Sequence, residues 1–290
     1  MFPELIDTRP LRRAVDDALT WVVRNWGGEL EAAAYPLLML LNWIERLLLS
    51  TPWWLFIAIF VALAFVATRS WKLPLVVLLG LVFLGLMQLW RDAMATTALM
   101  IAATLTAIVI SIPVGVWMSR SARVRQFVTP VLDLMQTMPS FVYLIPTVMI
   151  FGPGKIPALL ATIVYAAPPL VRLTDLGLRN VDPAVMEASH AFGATASQRL
   201  FGVQVPLALP TILAGVNQTT MMALAMVVIA SMIGAGGLGY QVLQGIGRLE
   251  VSRGLFAGLG IVVLAIVFDR IIQAYGTRLQ ASIGLGEARQ

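Results

Sequence analysis

The sequence predicts an all-α membrane protein, a polytopic helical bundle, on three observations. Apolar residues fill 59% of the 290 positions and charged residues only 12%, and the mean hydropathy is +0.86, all far from the soluble average. The apolar residues gather in long uncharged runs, and roughly 20 of them carry a helix across about 30 Å of hydrocarbon. Tryptophans stand near the ends of those runs, where an aromatic belt belongs. Zero cysteines exclude disulfides, thiolate metal sites and a cysteine nucleophile, and one histidine is too few for a usual zinc site. The net charge of +5 does not mark a nucleic-acid face, because the basic residues sit singly or in threes between apolar runs.

Residues 1–46 hold five basic and seven acidic residues, with Trp21, Trp26, Tyr35 and Trp43 interleaved among leucines. No early apolar core suggests a cleavable signal peptide. The expectation is a tail with one or two amphipathic helices lying at the outer interface; a soluble partner-binding arm is the alternative. Two accessory spans follow within 47–92, at 47–68 and 73–90. Further spans are expected at 93–119, at 130–151 with interruptions at Pro139 and Pro146, at 157–175, 207–233 and 254–275, which makes seven with a margin of one. The sixth is cut from the uncharged run 200–247, because Gly234, Gly236, Gly237 and Gly239 end a helix. Residues 281–290 remain as a C-terminal tail.

Counting Lys and Arg orients the bundle. With the N-terminus outside, Arg69, Lys72, Arg120, Arg123, Arg125, Arg172, Arg179, Arg199, Arg270, Arg278 and Arg289 fall inside, and only Arg91, Lys155, Arg248 and Arg253 fall outside. The C-terminus is then cytoplasmic. The tail's own five basic residues argue the other way, but their seven acidic neighbours offset them.

The longest hydrophilic interruption between spans is 179–206, RNVDPAVMEASHAFGATASQRLFGVQVP. Asp182 suits an N-cap and Pro183 the first helical position. Gly193 suits the left-handed residue that stops this helix, and Thr195 with Gln198 forms a capping box that starts another. Two short helices at an angle should result, a rigid projecting corner. Glu187, Ala188, Ser189, Gly193, Val203, Val205 and Pro206 keep the spacing of the EAA loop of ATP-binding-cassette (ABC) importer permeases. That loop reads Glu-Ala-Ala, three residues, Gly, nine residues, Ile, one residue, Leu-Pro; Ser189, Val203 and Val205 are the departures. The runs LDLMQTMPSFVYLIP, PPLVRLTDLG, PLALPTILAGVNQT and MVVIASMIGAGGLG narrow the resemblance to permeases of glycine betaine and proline betaine importers, with choline and carnitine relatives. The likeness covers roughly 93–275.

The resemblance implies a type I ABC importer transmembrane fold, with a permease core at 93–280 made of the third to seventh spans. It also implies a bacterial inner-membrane location, a permease homodimer, cytoplasmic ATPase subunits and a periplasmic or extracellular substrate-binding protein. This chain would be no enzyme and bind no cofactor; ATP and magnesium would sit on the ATPase, consistent with the lack of a Walker loop here. The cargo would be a quaternary ammonium compatible solute. The coupling residues carried over are Asp182, Glu187, Ala188, Ser189, Gly193, Arg199 and Pro206. Glu187 would orient or ion-pair, with Arg179 and Arg199 as partners; a solvated helix charge is the alternative. His190 receives no role.

Asp133, Gln136, Thr137, Pro139, Phe141, Tyr143 and Asn217 are candidates for lining the path, being ionisable, polar, aromatic or kinking residues inside apolar spans. Pro139 and Pro146 free carbonyls that neighbours or water must satisfy. Aromatic faces attract a quaternary ammonium, which singles out Phe141 and Tyr143, although helix packing accounts for the same residues almost as well. Gly234, Gly236, Gly237 and Gly239 are expected to form an outer turn belonging to a gate; Gly234, Gly236 and Gly239 match a dinucleotide fingerprint, but no βαβ unit surrounds them. Gly254 and Gly258 suit close helix contact. Two other functions compete. An ion-gradient-driven secondary transporter calls for inverted repeats and mid-membrane carboxylates, and an intramembrane enzyme calls for a nucleophile with its base.

Overall fold

A computed structural model describes residues 9–282; the end of the predicted C-terminal tail, Arg289 included, and the acidic residues Glu4 and Asp7 lie outside it. The described residues form α1 (Arg9–Ser50), α2 (Trp53–Thr68), α3 (Lys72–Leu86), α4 (Trp90–Arg120), α5 (Ala122–Thr137), α6 (Leu144–Phe151), α7 (Lys155–Arg179), α8 (Pro183–Ala191), α9 (Ala196–Arg199), α10 (Val205–Ala230), α11 (Leu238–Gly247) and α12 (Val251–Ser282). Among the described residues there is no strand. The helices α8 and α9 form an elbow at one end of the bundle; α7 runs towards it and α10 runs back.

By length and composition five helices suffice to cross a membrane, or six with one bent pair counted as a span. Six lies within the margin of the expected seven, although the helices that make up the count differ from those expected. The first two expected spans correspond to α2 and α3, of 16 and 15 residues, about 24 and 22 Å long at the helical rise, less than the hydrocarbon thickness. Residues 47–50 belong to α1 instead. Conversely, α1 is one helix of 42 residues that runs through Pro36, and it passes the same length and composition test. Its buried side chains Ala34, Leu41 and Ile44 dock the C-terminal half against α4, α6 and α7, and Glu45 receives a charge-assisted hydrogen bond from Lys155 at the start of α7.

The span expected at 130–151 is broken, with α5 and the segment Ser140–Phe151 bent by 111°. Pro139 causes this: its ring excludes a helical Met138, which is extended at ψ 135. Pro146 does not break the chain, because it sits in the first turn of α6, where no helical N–H is lost.

The centre of the bundle is α7, packed between α4 and α10. Three glycines let the backbones approach: a Cβ on Gly115 would lie 2.6 Å from Thr174, one on Gly177 3.0 Å from Thr211, and one on Gly215 2.9 Å from Leu170. The double proline Pro168–Pro169 disrupts the ladder of α7. Hydroxyls from both neighbours serve the carbonyls just before it, Ser111 donating to Ala167 at 3.2 Å and Thr219 to Ala166 at 2.9 Å. On the outside of this core, α2 and α3 lie on α12, with Phe60 and Phe268 edge to face at 5.5 Å and Arg278 donating to the Val66 carbonyl.

Gly115→Ala should destabilise the protein by about 1–3 kcal/mol through overpacking, since the added carbon would also meet the Val171 carbonyl oxygen at 2.8 Å. Gly258→Ala, which meets nothing within 4 Å, should be neutral. Thermal unfolding of both variants in detergent checks the pair.

Candidate functional site: the elbow

The elbow is built from backbone hydrogen bonds closed by short side chains. Asp182 caps α8 by accepting from the Ala184 N–H at 2.8 Å, with Pro183 behind it. The helix ends in a Schellman pattern: the Ala194 N–H reaches the Ser189 carbonyl at 3.1 Å and the Gly193 N–H the His190 carbonyl at 2.9 Å. Gly193 takes the left-handed conformation this requires, at φ +75°. The next residue pair opens α9 with a full capping box, Gln198 N–H to Thr195 Oγ1 at 3.3 Å and Thr195 N–H to Gln198 Oε1 at 2.8 Å.

A π-helical turn, Leu200–Gln204, leads from α9 into α10, and Pro206 sits in the first turn of α10. The elbow is fastened to the bundle at three points. Leu200 is buried with Leu170, Leu178, Ala208 and Ile212. Gln204 donates to the Leu178 carbonyl, and Arg120 from the end of α4 donates to the Ala196 carbonyl at 3.3 Å. Beside it, buried Asp175 holds Arg179 by two hydrogen bonds of 3.0 and 2.9 Å.

Met186, Glu187, His190, Ala191 and Arg199 line an open depression on the outer side of the elbow. Glu187 and Arg199 share it, but Glu187 forms no ion pair among the described residues. Arg179, one of its expected partners, is committed to Asp175. Ala188 and Ser189 are on the same helix, with the Ser189 hydroxyl bonded to the Met186 carbonyl. Two aromatics on the elbow are exposed, Phe192 at 92% and Phe201 at 68%. Sequence reasoning missed both, although an aromatic residue on a hydrophilic corner is itself a sign of a contact surface.

The path candidates fall into separate environments. Asp133 on α5 pairs with Arg172 of α7, Thr137 bonds back to the Leu134 carbonyl, and Gln136 and Phe141 are exposed. Tyr143 is buried, its hydroxyl donated to the Met135 carbonyl and its ring 5.9 Å from that of Tyr165. Asn217 is committed elsewhere, donating to Asp269 of α12 at 2.9 Å.

At the far end Gly234, Gly236 and Gly237 have positive φ of 93°, 78° and 81° and turn the chain from α10 into α11. Gly239 lies in α11, where a Cβ would sit 2.6 Å from the Ser231 hydroxyl. Thr96 accepts from the Leu238 N–H and Asp92 from Gln241, which in turn accepts from Arg253. This chain of polar contacts ties the turn to α4 and α12, and it too was invisible in the sequence. Gly254 packs against Gly245, whereas Gly258 faces open space.

Residues 107–281 match the family model described as binding-protein-dependent transport system inner membrane component. The glycine betaine/proline betaine transport system permease protein of Escherichia coli (strain K12) is 46% identical over 92% of this chain and 75% of its own length. The glycine betaine transport system permease protein of Bacillus subtilis (strain 168) is 42% identical over 91% and 93%. The glycine betaine/carnitine transport permease protein of Listeria monocytogenes is 45% identical over 79% and 83%. Among solved structures, a chain of the MetNI methionine ABC transporter in an inward-facing conformation superposes with a TM-score of 0.58 at 25% identity, covering 67% of this chain and 95% of that one.

Thr195→Ala should cost the elbow about 1 kcal/mol by removing one cap, and Gly193→Val should cost more by forcing a β-branched residue to positive φ. Faster hydrogen exchange confined to the amides of α8 and α9, with the bundle amides unchanged, is the expected reading.

Proposed function

The chain belongs to the family of binding-protein-dependent transport system inner membrane components, and from that premise we propose that it is the permease subunit of an ATP-driven importer of a quaternary ammonium solute. The cargo class rests on the relatives, whose names specify glycine betaine, proline betaine and carnitine. The observation that carries the mechanism is the elbow, a doubly capped corner joined without a flexible linker to α7 and α10. A chain with this architecture does no covalent chemistry; it converts displacement into access.

Two copies pair in the membrane, each seating its elbow in a cleft of a cytoplasmic ATPase that binds ATP and magnesium, and a binding protein delivers solute from outside. Met186, Glu187, Arg199, Phe192 and Phe201 form the contact: the aromatics supply apolar area and the charges orient the fit. Asp182, Ser189, Gly193 and Pro206 shape the corner that presents them. When the ATPases close, the elbow moves and tilts α7 with α10, because their contact through Gly177 and Gly215 leaves no slack. The glycine turn at the far end then opens the outer side, and hydrolysis restores the inward-facing state. The core is 93–280, with α1 to α3 as accessory elements.

The orientation follows from the elbow. With it in the cytoplasm, α7 begins outside at Lys155 and α10 ends outside at the glycine turn. The ion pair of Glu45 with Lys155 supports an outer position for the C-terminal end of α1, and with α1 lying along the outer interface the N-terminus stays outside while the C-terminal helix ends within.

Liposomes holding the permease, its ATPase and its binding protein should accumulate radiolabelled glycine betaine when ATP is supplied, and not under a sodium or proton gradient alone. Gradient-driven uptake without the ATPase would favour a secondary transporter and overturn the reading. Glu187→Ala should leave membrane insertion intact and abolish ATP-driven uptake; undiminished uptake would remove the coupling role.

A further inference from the structure

A carboxylate of α12, Asp269, meets α10 between two largely apolar helices. Asp269 lies 16 residues along α12 from Arg253, about 24 Å further along the helix axis. Its Oδ1 accepts the Asn217 amide of α10 at 2.9 Å and the Gln273 amide one turn on at 2.6 Å. Arg270, the nearest cation, is 3.9 Å from the other oxygen, beyond hydrogen-bond length. The Asp269 side chain is only 20% exposed. The Asn217 Oδ1 is sealed from solvent and has no donor, so the carboxylate alone fixes which way this amide points.

An ionisable group facing a neighbouring helix within an apolar span is costly and is a functional candidate. Elsewhere α12 packs by apolar contact, Gly260 against Leu84 and Leu238, Val263 against Gly80 and Phe268 against Phe60, and apolar surfaces slide. A charge-assisted hydrogen bond in a partly buried seam is short-ranged and directional. It permits no register shift between the helices it joins. The N-terminal end of α10 is the elbow, whereas α12 has no covalent link to the elbow and carries α2, α3 and α11 against it.

We propose that Asp269 is a positioning residue that clasps α12 to α10, so that elbow displacement reaches α12 and the outer helix α11 packed on it. The clasp rests on the importer reading of the elbow and deepens it. It transmits motion through a carboxylate–amide bond rather than through packing, and touches neither solute nor nucleotide.

The test uses the full transporter in liposomes, with solute-loaded binding protein, and reads glycine betaine moved per ATP hydrolysed together with the thermal midpoint of the permease. Asp269→Leu should lower the transport ratio about tenfold, the scale of a typical coupling energy, while the protein still inserts and assembles with its ATPase. The reversed pair, Asn217→Asp with Asp269→Asn, rebuilds one carboxylate–amide bond across the same seam and should restore the ratio to near the wild-type value. A normal ratio in Asp269→Leu would overturn the clasp. So would a reversed pair that folds with the wild-type midpoint yet stays uncoupled, since a carboxylate acting on cargo from α12 would not survive the exchange. Should Asp269→Leu fail to insert, the reversed pair decides alone by the same two readouts. Failure of the wild-type transporter to use ATP would defeat the importer reading itself, an outcome distinct from either result above.

Discussion

The close approach of α7 to α10 is the contact on which the rest of the structure depends. Gly177 and Gly215 remove the side chains that would hold these two backbones apart, and the gain is dispersion over many atom pairs at short range. In a bilayer such contact is the main source of helix association, because lipid tails offer apolar side chains as good an environment as another helix does. Both helices leave the bilayer at the elbow. A pair locked along its length and joined at one end behaves as a single stiff body, and whatever grips the corner moves both.

Stiffness of this kind requires that polar groups at depth be satisfied within the protein. The double proline of α7 removes the N–H donors of the Val164 and Tyr165 carbonyls, and just beyond them Ser111 and Thr219 donate to the Ala167 and Ala166 carbonyls and tie that stretch to α4 and α10. Asp175 and Arg179 satisfy one another near the elbow, and Asp269 is served by two amides. The break at Pro139 is bridged by one hydrogen bond, from the Tyr143 hydroxyl to the Met135 carbonyl; the bend separates α5, which lies along Met118 and Val171, from α6, which packs on α1 and α7. The bundle therefore combines a braced central pair with a bent flank.

Legibility in the sequence followed the range of the interactions. The elbow was readable almost residue by residue, since caps and left-handed turns are set by neighbours within four positions: Asp182, Gly193, Thr195 and Gln198 all do what their chemistry predicts. Helix count was less readable. Hydropathy sums registered the apolar runs of α2 and α3 but not their lengths of 16 and 15 residues, and acidic residues masked the length of α1. Asp269 was missed because nothing local distinguishes it from a helix-end carboxylate; its meaning comes from Asn217, 52 residues away. The commitment of Arg179 to Asp175 rather than Glu187 was decided by helical phase, with i and i+4 on one face. The aromatic pair Phe192 and Phe201 was present in the motif but read as filler between the matched positions.

The π-helical turn between α9 and α10 bears on how such a corner can change over time. It holds one residue more than an α-helical turn of the same reach. Deleting a residue there would relax the turn to an ordinary helix and rotate α9 about 100° around the axis of α10, carrying the α8 surface off its bearing. Inserting one would rotate it the opposite way. The bearing of the elbow thus depends on the number of residues from Gly193 to Pro206 as well as on which residues they are.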